Sequence, residues 1–240
     1  MATNIDKINA QNDDRVRRCT AQSNGKTYSY LEGIPAGSPV KGTIFLDAPN
    51  TVESYSYRSL TEDAKELAAQ LKVERVIACG HDWGANIAYR LALWHPSLVS
   101  LVIAIRVPYF PSQGKYTPLE ELSKTVLPNF TYQLQFKSGE LERWFWSRDD
   151  IRSFLVAMYG GRDNQGSLAW DAYFGLMIDK VAGLKPSELL TDEEMDFYVD
   201  KFQRHVNYYR TREINHYDEV TSLTGPAINV PVLFIPALQD

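Results

Sequence analysis

CGHDWGANIAY, residues Cys79 to Tyr89, joins two stretches of different hydrophobic period. Before it, Arg75 to Cys79 (RVIAC) is a short, continuous apolar run, the kind that forms a strand buried on both faces of a parallel sheet. After it, Gly84 to Trp94 places Ile87, Ala88, Leu91 and Ala92 on one helical face, and Pro96 helps to stop the helix. The junction Gly80-His81-Asp82-Trp83-Gly84 therefore reads small-x-acid-x-small between a strand and a helix, the pattern of a nucleophile elbow. Such a turn is tight, and a side chain two positions either side of Asp82 is expected to collide with the neighbouring strand or helix. The plainer alternative makes Asp82 only the N-cap of the helix, a role aspartate fills well. The flanking glycines and the strand-to-helix setting favour the elbow, and the helix amino terminus stabilises a negative charge there by ~0.3–1 kcal/mol.

On the amino-terminal side, Lys41 to Leu46 (KGTIFL) reads as a buried strand. Ser59-Leu60-Thr61-Glu62 reads as a capping box, opening a helix with Leu60, Ala64, Leu67, Ala68 and Leu71 on one face. On the other side, Leu101 to Val107 (LVIAIRV) is the next strand. The succession strand–helix–strand–helix–strand predicts an α/β fold, a mostly parallel sheet with helices on both faces. Upstream, Arg15 to Gln22 and Lys26 to Glu32 flank Asn24-Gly25, a strong hairpin signal, and the first ~14 residues have the composition of a loose tail.

After Pro108 the chain becomes rich in aromatics and helix signals. Thr191-Asp192-Glu193-Glu194 is a second capping box, expected to open a helix through Tyr198, Phe202 and Val206. A strand returns at Val230 to Ile235 (VPVLFI). The expected organisation is a tail over 1–14, a core over 15–108, a helical lid over 109–227 and a return strand of the core over 228–240. The lid would cover the carboxyl ends of the strands, where open α/β sheets place their sites.

Composition narrows the function. The 240 residues, 44% hydrophobic, can bury a sizeable core, and a net charge of −5 without a long basic cluster excludes a nucleic-acid surface. Two cysteines, Cys19 and Cys79, make no disulfide framework and point to a reducing compartment. MATNIDKINAQNDDRVRR lacks the apolar centre of a secretory signal, and no apolar run approaches the ~18 residues of a membrane span. A soluble, cytoplasmic protein is expected, with a peroxisomal location left open and with neither metal nor cofactor. Oligomeric state is not legible.

An aspartate at an elbow implies particular chemistry. A carboxylate is a weak nucleophile, suited to displacement at an sp³ carbon that carries a strained or good leaving group, giving an ester on the protein. Epoxides and alkyl halides fit. At these residues the sequence resembles the epoxide hydrolase family of the α/β-hydrolase fold, its soluble and fungal members above all. GHDWGANIAYRLALWHPSLVS, DAPNTVESYSYRSLTEDAKELAAQL, FTYQLQF, VNYYRTRE and VPVLFIPALQD carry the resemblance, from about Arg15 onward. It implies that Asp82 is the nucleophile and that Tyr132 and Tyr209 point from the lid at the epoxide oxygen, with Tyr208 an alternative to Tyr209. Two phenols can hydrogen-bond and protonate the alkoxide left by ring opening. Trp83 would offer its N–H to the ester oxyanion and its ring to the substrate wall, with Gln133 beside it in the binding set. Asp240 matches the acid that orients the family's histidine. The implied partners are a small epoxide and water.

Two departures stand against that pattern. The family's His-Gly-x-Pro loop should follow Lys41–Leu46, but Asp47-Ala48-Pro49 comes next, as if several dozen residues with a strand and a helix were absent. No histidine follows Asp240 to serve as the base. Of His81, His95, His205 and His216, none is expected to replace it, so the ester is expected to form and to persist. A haloalkane dehalogenase shares an aspartate elbow and is the nearest rival; a noncatalytic, truncated relative is the rival from another class.

Overall fold

The computed structural model describes residues 13–33, 41–44, 51–111, 114–144, 147–202, 206–223, 225 and 227–237. In chain order, β1 (Val16–Ser23), β2 (Lys26–Gly33) and β3 (Lys41–Ile44) precede α1 (Tyr57–Gln70), β4 (Val76–His81), α2 (Trp83–Trp94) and β5 (Val99–Ile105). Then come α3 (Leu119–Thr125), α4 (Tyr132–Lys137), α5 (Glu140–Trp144), α6 (Arg148–Met158), β6 (Trp170–Asp171), β7 (Gly175–Leu176) and α7 (Asp192–Lys201). The last elements are α8 (Arg212–Ser222) and β8 (Val232–Ile235). The chain divides into two compact units, residues 1–112 with 217–240, and residues 113–216.

In the first unit, β1 and β2 pair antiparallel about Asn24 and Gly25, with φ of 48° and 77°. Positive φ at both central residues is what a type I′ turn needs, and Asn-Gly supplies it at little steric cost. The hairpin is fastened to α1 by the buried carboxylate of Asp63. It takes an ion pair from Lys26, a hydrogen bond from the Tyr28 hydroxyl and a 2.8 Å bond from Asn24 Nδ2.

Several sequence expectations shift. The cap of α1 is Ser56, whose Oγ accepts from Ser59 N at 3.1 Å; Ser59 is thus the third helical residue rather than the cap. The segment expected as the first strand of the parallel run forms β3, which pairs antiparallel with β2 in a sheet ordered β1-β2-β3. Residues 45 and 46 of that expected strand lie outside the described residues. β4, β5 and β8 form a separate, wholly parallel sheet in that order. β5 stops at Ile105, two residues before the expected end, because Arg106 turns to φ 73° while its N–H still reaches Ile235 O at 2.8 Å.

β4 is not buried on both faces. Ala78, Val102 and Ala104 pack with Ala85, Ala88, Tyr89, Leu91 and Ala92 of α2. The opposite side of β4 carries Ile77, 58% exposed, and all four residues of β8 are 38–50% exposed. A parallel sheet ordinarily has helices on both faces; among the described residues only one side of this sheet has a buried cluster of that kind.

The second unit is built on Phe136, Leu141, Ile151, Phe154, Leu155, Val156, Met195 and Val199. Two of its helices, α6 and α7, carry side-chain caps. Ser147 and Asp150 form a capping box on α6, and Thr191 and Glu194 form the expected one on α7. α7 ends at Lys201, short of Phe202 and Val206, because Phe202 is extended, at φ −66° and ψ 120°.

Candidate active site

Asp82 sits between β4 and α2 with φ 53° and ψ −119°. A non-glycine residue rarely adopts this conformation, which is strained by ~1–3 kcal/mol. The ordinary N-caps of the same molecule provide the contrast. Ser56, Ser147 and Thr191 are extended, with φ of −63°, −120° and −71°, and each accepts from the third helical N–H. Asp82 instead accepts from the first, Trp83 N to Oδ2 at 2.8 Å, while its own N–H meets Ile105 O of the adjacent strand at 3.3 Å. It caps the helix, but from a backbone that capping alone does not require. The carboxylate is half-buried, with one oxygen held by the Trp83 N–H and the other outside that bond.

The two flanking glycines are not equivalent. A Cβ on Gly80 would lie 2.0 Å from Gly84 O and 2.5 Å from Ala85 N, both backbone atoms that cannot yield. A Cβ on Gly84 would meet nothing within 4 Å, so the expected collision there is absent. Gly80→Ala is therefore expected to cost ~3 kcal/mol or more, seen as a lowered urea midpoint. Gly84→Ala should be neutral or stabilising by up to ~1 kcal/mol, since Gly84 is helical.

In the second unit, Tyr132 opens α4 and its ring meets Trp170 at 4.8 Å, Phe136 at 5.5 Å and Tyr209 at 6.0 Å, all edge-on. Tyr209 lies in a 3₁₀ turn, Asn207–Arg210, and packs edge-on against Phe136 at 4.8 Å. Gln133 Nε2 donates to Tyr132 Oη at 3.3 Å; the phenol oxygen accepts, a role compatible with donating its own proton. Sequence reasoning passed over Gln135. Its amide donates to Leu176 O at 2.9 Å and accepts from Leu176 N at 2.8 Å, fixing β7 to α4, while Tyr132 N bonds Ala172 O at 3.2 Å. The signal was Gly175, at φ 77°, where a Cβ would lie 2.3 Å from Gln135 Oε1.

The described histidines belong to different elements. His81 is exposed at the end of β4. His95 is the C-cap of α2, twelve helical residues (roughly 18 Å at 1.5 Å each) beyond Asp82, and its Nε2 is 3.4 Å from Glu62 Oε1. His216 packs against Tyr116 at 5.5 Å in the second unit. His205, Asp240 and Asp47-Ala48-Pro49 lie outside the described residues. Burial, only partly opposed by Glu62, holds the His95 pKa below its ordinary 6.5. The fold thus prefers neutral His95, so stability from this group is complete above pH 6.5 and falls as pH drops through 6.5 toward the lowered folded value. His95→Gln is expected to flatten the urea midpoint across that acidic window, while the wild-type midpoint declines.

Among the described residues no cluster of three or more His, Cys, Asp or Glu could hold a metal ion, and no helix is long and apolar enough to cross a membrane. An acidic residue strained at the turn from β4 to α2, within a parallel β4-α2-β5 unit, has the strand–turn–helix geometry of a nucleophile elbow. The family described as alpha/beta hydrolase fold matches residues 33–240, and the chain belongs to it. Within that family the chain is similar to proteins named epoxide hydrolase. It is 36% identical over 184 residues to the epoxide hydrolase srdG of Neurospora crassa, covering 72% of this chain and 54% of that protein. It is 26% identical over 209 residues to bifunctional epoxide hydrolase 2 of Rattus norvegicus, covering 84% and 37%. The chain thus spans about half the length of the first and less of the second. The crystal structure of epoxide hydrolase A from Mycobacterium thermoresistibile aligns with a TM-score of 0.68 at 24% identity, covering 91% of this chain and 81% of that one, a likeness of fold.

Proposed function

We propose that this chain carries the alkylation half of an epoxide hydrolase reaction. Asp82 Oδ1 attacks a ring carbon of the epoxide; the Oδ1–carbon bond forms as the ring carbon–oxygen bond breaks. The departing oxygen takes a proton from Tyr132 or Tyr209, the second phenol hydrogen-bonds it, and the phenolate is reprotonated from solvent. Release of a vicinal diol would further require water to attack the ester carbonyl and pass a proton to a base. In that step the Trp83 N–H faces Oδ2, the oxygen on which negative charge develops. The single observation that carries this reading is the backbone of Asp82, strained where Ser56, Ser147 and Thr191 are relaxed. Similarity to proteins named epoxide hydrolase supports it, and so does the edge-on pairing of Tyr132 with Tyr209, which favours Tyr209 over Tyr208. Gln133 orients the first phenol, and Asp240 would orient a base.

The tyrosines separate this reading from haloalkane dehalogenation, because a halide leaves without a proton. Tyr132→Phe and Tyr209→Phe should each slow alkylation by a styrene oxide ~10²-fold. Alkylation by a 1-bromoalkane should remain within ~2-fold of wild type, as no general acid acts on it. Equal losses with both electrophiles would remove the general-acid role.

A further inference from the structure

We infer that Arg210, braced by Glu142, is the positioning residue that sets Tyr209 against Tyr132; the catalytic part of this inference rests on the proposed function. Tyr209 is carried by a four-residue 3₁₀ turn, Asn207–Arg210. Such a turn has weak hydrogen bonds and little stability of its own, so the direction of its side chains must be imposed from outside. One guanidinium does this. Arg210 Nε donates to Lys137 O at 3.0 Å and a terminal nitrogen donates to Phe136 O at 3.3 Å. These carbonyls belong to the last turn of α4, which has no intrahelical partners for them. α4 is the helix that Tyr132 opens, so the residue after one phenol is bonded to the helix of the other. Arg210 also returns to its own turn, bonding Asn207 Oδ1 at 2.7 Å.

Glu142 fixes the far side of the guanidinium. Its Oε1 is 2.7 Å from an Arg210 terminal nitrogen and accepts from Val206 N, just before the turn, at 3.3 Å. Its Oε2 is buried with no hydrogen-bond partner among the described residues. Both side chains are about four-fifths buried. Burying an ion pair costs desolvation that roughly cancels its attraction, and an unsatisfied carboxylate oxygen adds to the cost. Stability is therefore a poor reason for the pair. Its geometry is a better one: only a planar fork with several donors can hold two carbonyls, an amide oxygen and a carboxylate together, which an ammonium cannot.

The test uses Arg210→Lys, with Glu142→Gln as a second variant that keeps the side-chain shape, in the 240-residue chain labelled with 3-fluorotyrosine. Fluorine NMR resolves the tyrosines, and Tyr132→Phe and Tyr209→Phe assign the two signals. Arg210→Lys should shift both assigned resonances and leave the other tyrosine signals in place; Glu142→Gln should shift that of Tyr209. Saturable alkylation of Asp82 by a styrene oxide should show its maximal rate reduced ~10-fold or more, with the half-saturating concentration within ~3-fold, as for a lost transition-state contact. Unmoved Tyr132 and Tyr209 resonances in both variants, or a loss confined to the melting temperature, would overturn the assignment. Failure of the wild-type chain to alkylate would instead remove the proposed function, and the fluorine spectra would still decide whether Arg210 sets the pair.

Discussion

Incubated with a styrene oxide, the 240-residue chain is expected to gain the mass of one substrate, and the gain maps to the peptide that contains Asp82. Asp82→Asn and Asp82→Ala should each reduce the rate of that gain by on the order of 10³-fold or more, since removing a nucleophile leaves only binding. The adduct should persist for many times its formation half-life. The physical reason lies in the described histidines of the unit that holds Asp82: His81 is exposed at the end of β4 and His95 lies at the far end of α2. His95 is roughly 18 Å from Asp82 along α2, out of reach of water at the ester. Intact-mass spectrometry with time checks both claims. Diol released well beyond one equivalent would show that a base acts after all, and an adduct that survives Asp82→Ala would put the nucleophile elsewhere.

Arg90→Met should lower the unfolding free energy by ~3–5 kcal/mol, because it strands a buried carboxylate. Arg90 is 5% exposed and Glu219 3% exposed. Their side chains make two bonds, 3.1 Å and 3.2 Å, and Arg90 also donates to Phe110 O at 2.9 Å and Asn86 Oδ1 at 3.4 Å. Its guanidinium lies 4.9 Å from the Tyr57 ring and 5.5 Å from that of Tyr109. The elbow helix is thereby tied to α8 and to the segment after β5. Arg90→Met with Glu219→Leu should recover most of the loss, as a buried pair replaced by apolar groups of like volume is often neutral. Urea denaturation with a common m-value measures both. A single-variant loss under ~1 kcal/mol would mean that water reaches the pair.

The same ion pair explains why the end of the helical stretch was hard to read. Helix signals continue past residue 216, yet Tyr217–Ser222 belong to the first unit, where Glu219 meets Arg90 across 129 residues of sequence. Charged residues on a helix normally read as a solvated face, and nothing near Arg90 or Glu219 in sequence distinguishes a buried pair from an exposed one. Ile77 errs in the opposite sense: an apolar run predicted two covered faces, and only packing could reveal one.

By itself the sequence determined the features that arise within a few residues: the Asn24-Gly25 turn, the Thr191–Glu194 box, the period change at Asp82 and the family to which the chain belongs. Turn sterics, capping bonds and side-chain period act over that range, so composition and spacing encode them directly. Tertiary structure alone decided that Gly80 has no room for a Cβ while Gly84 has, that β3 pairs with β2, and that Arg210 joins two tyrosine-bearing elements. Those depend on which distant backbone atoms come within about 3 Å, a matter of packing and chain closure that local pattern does not carry.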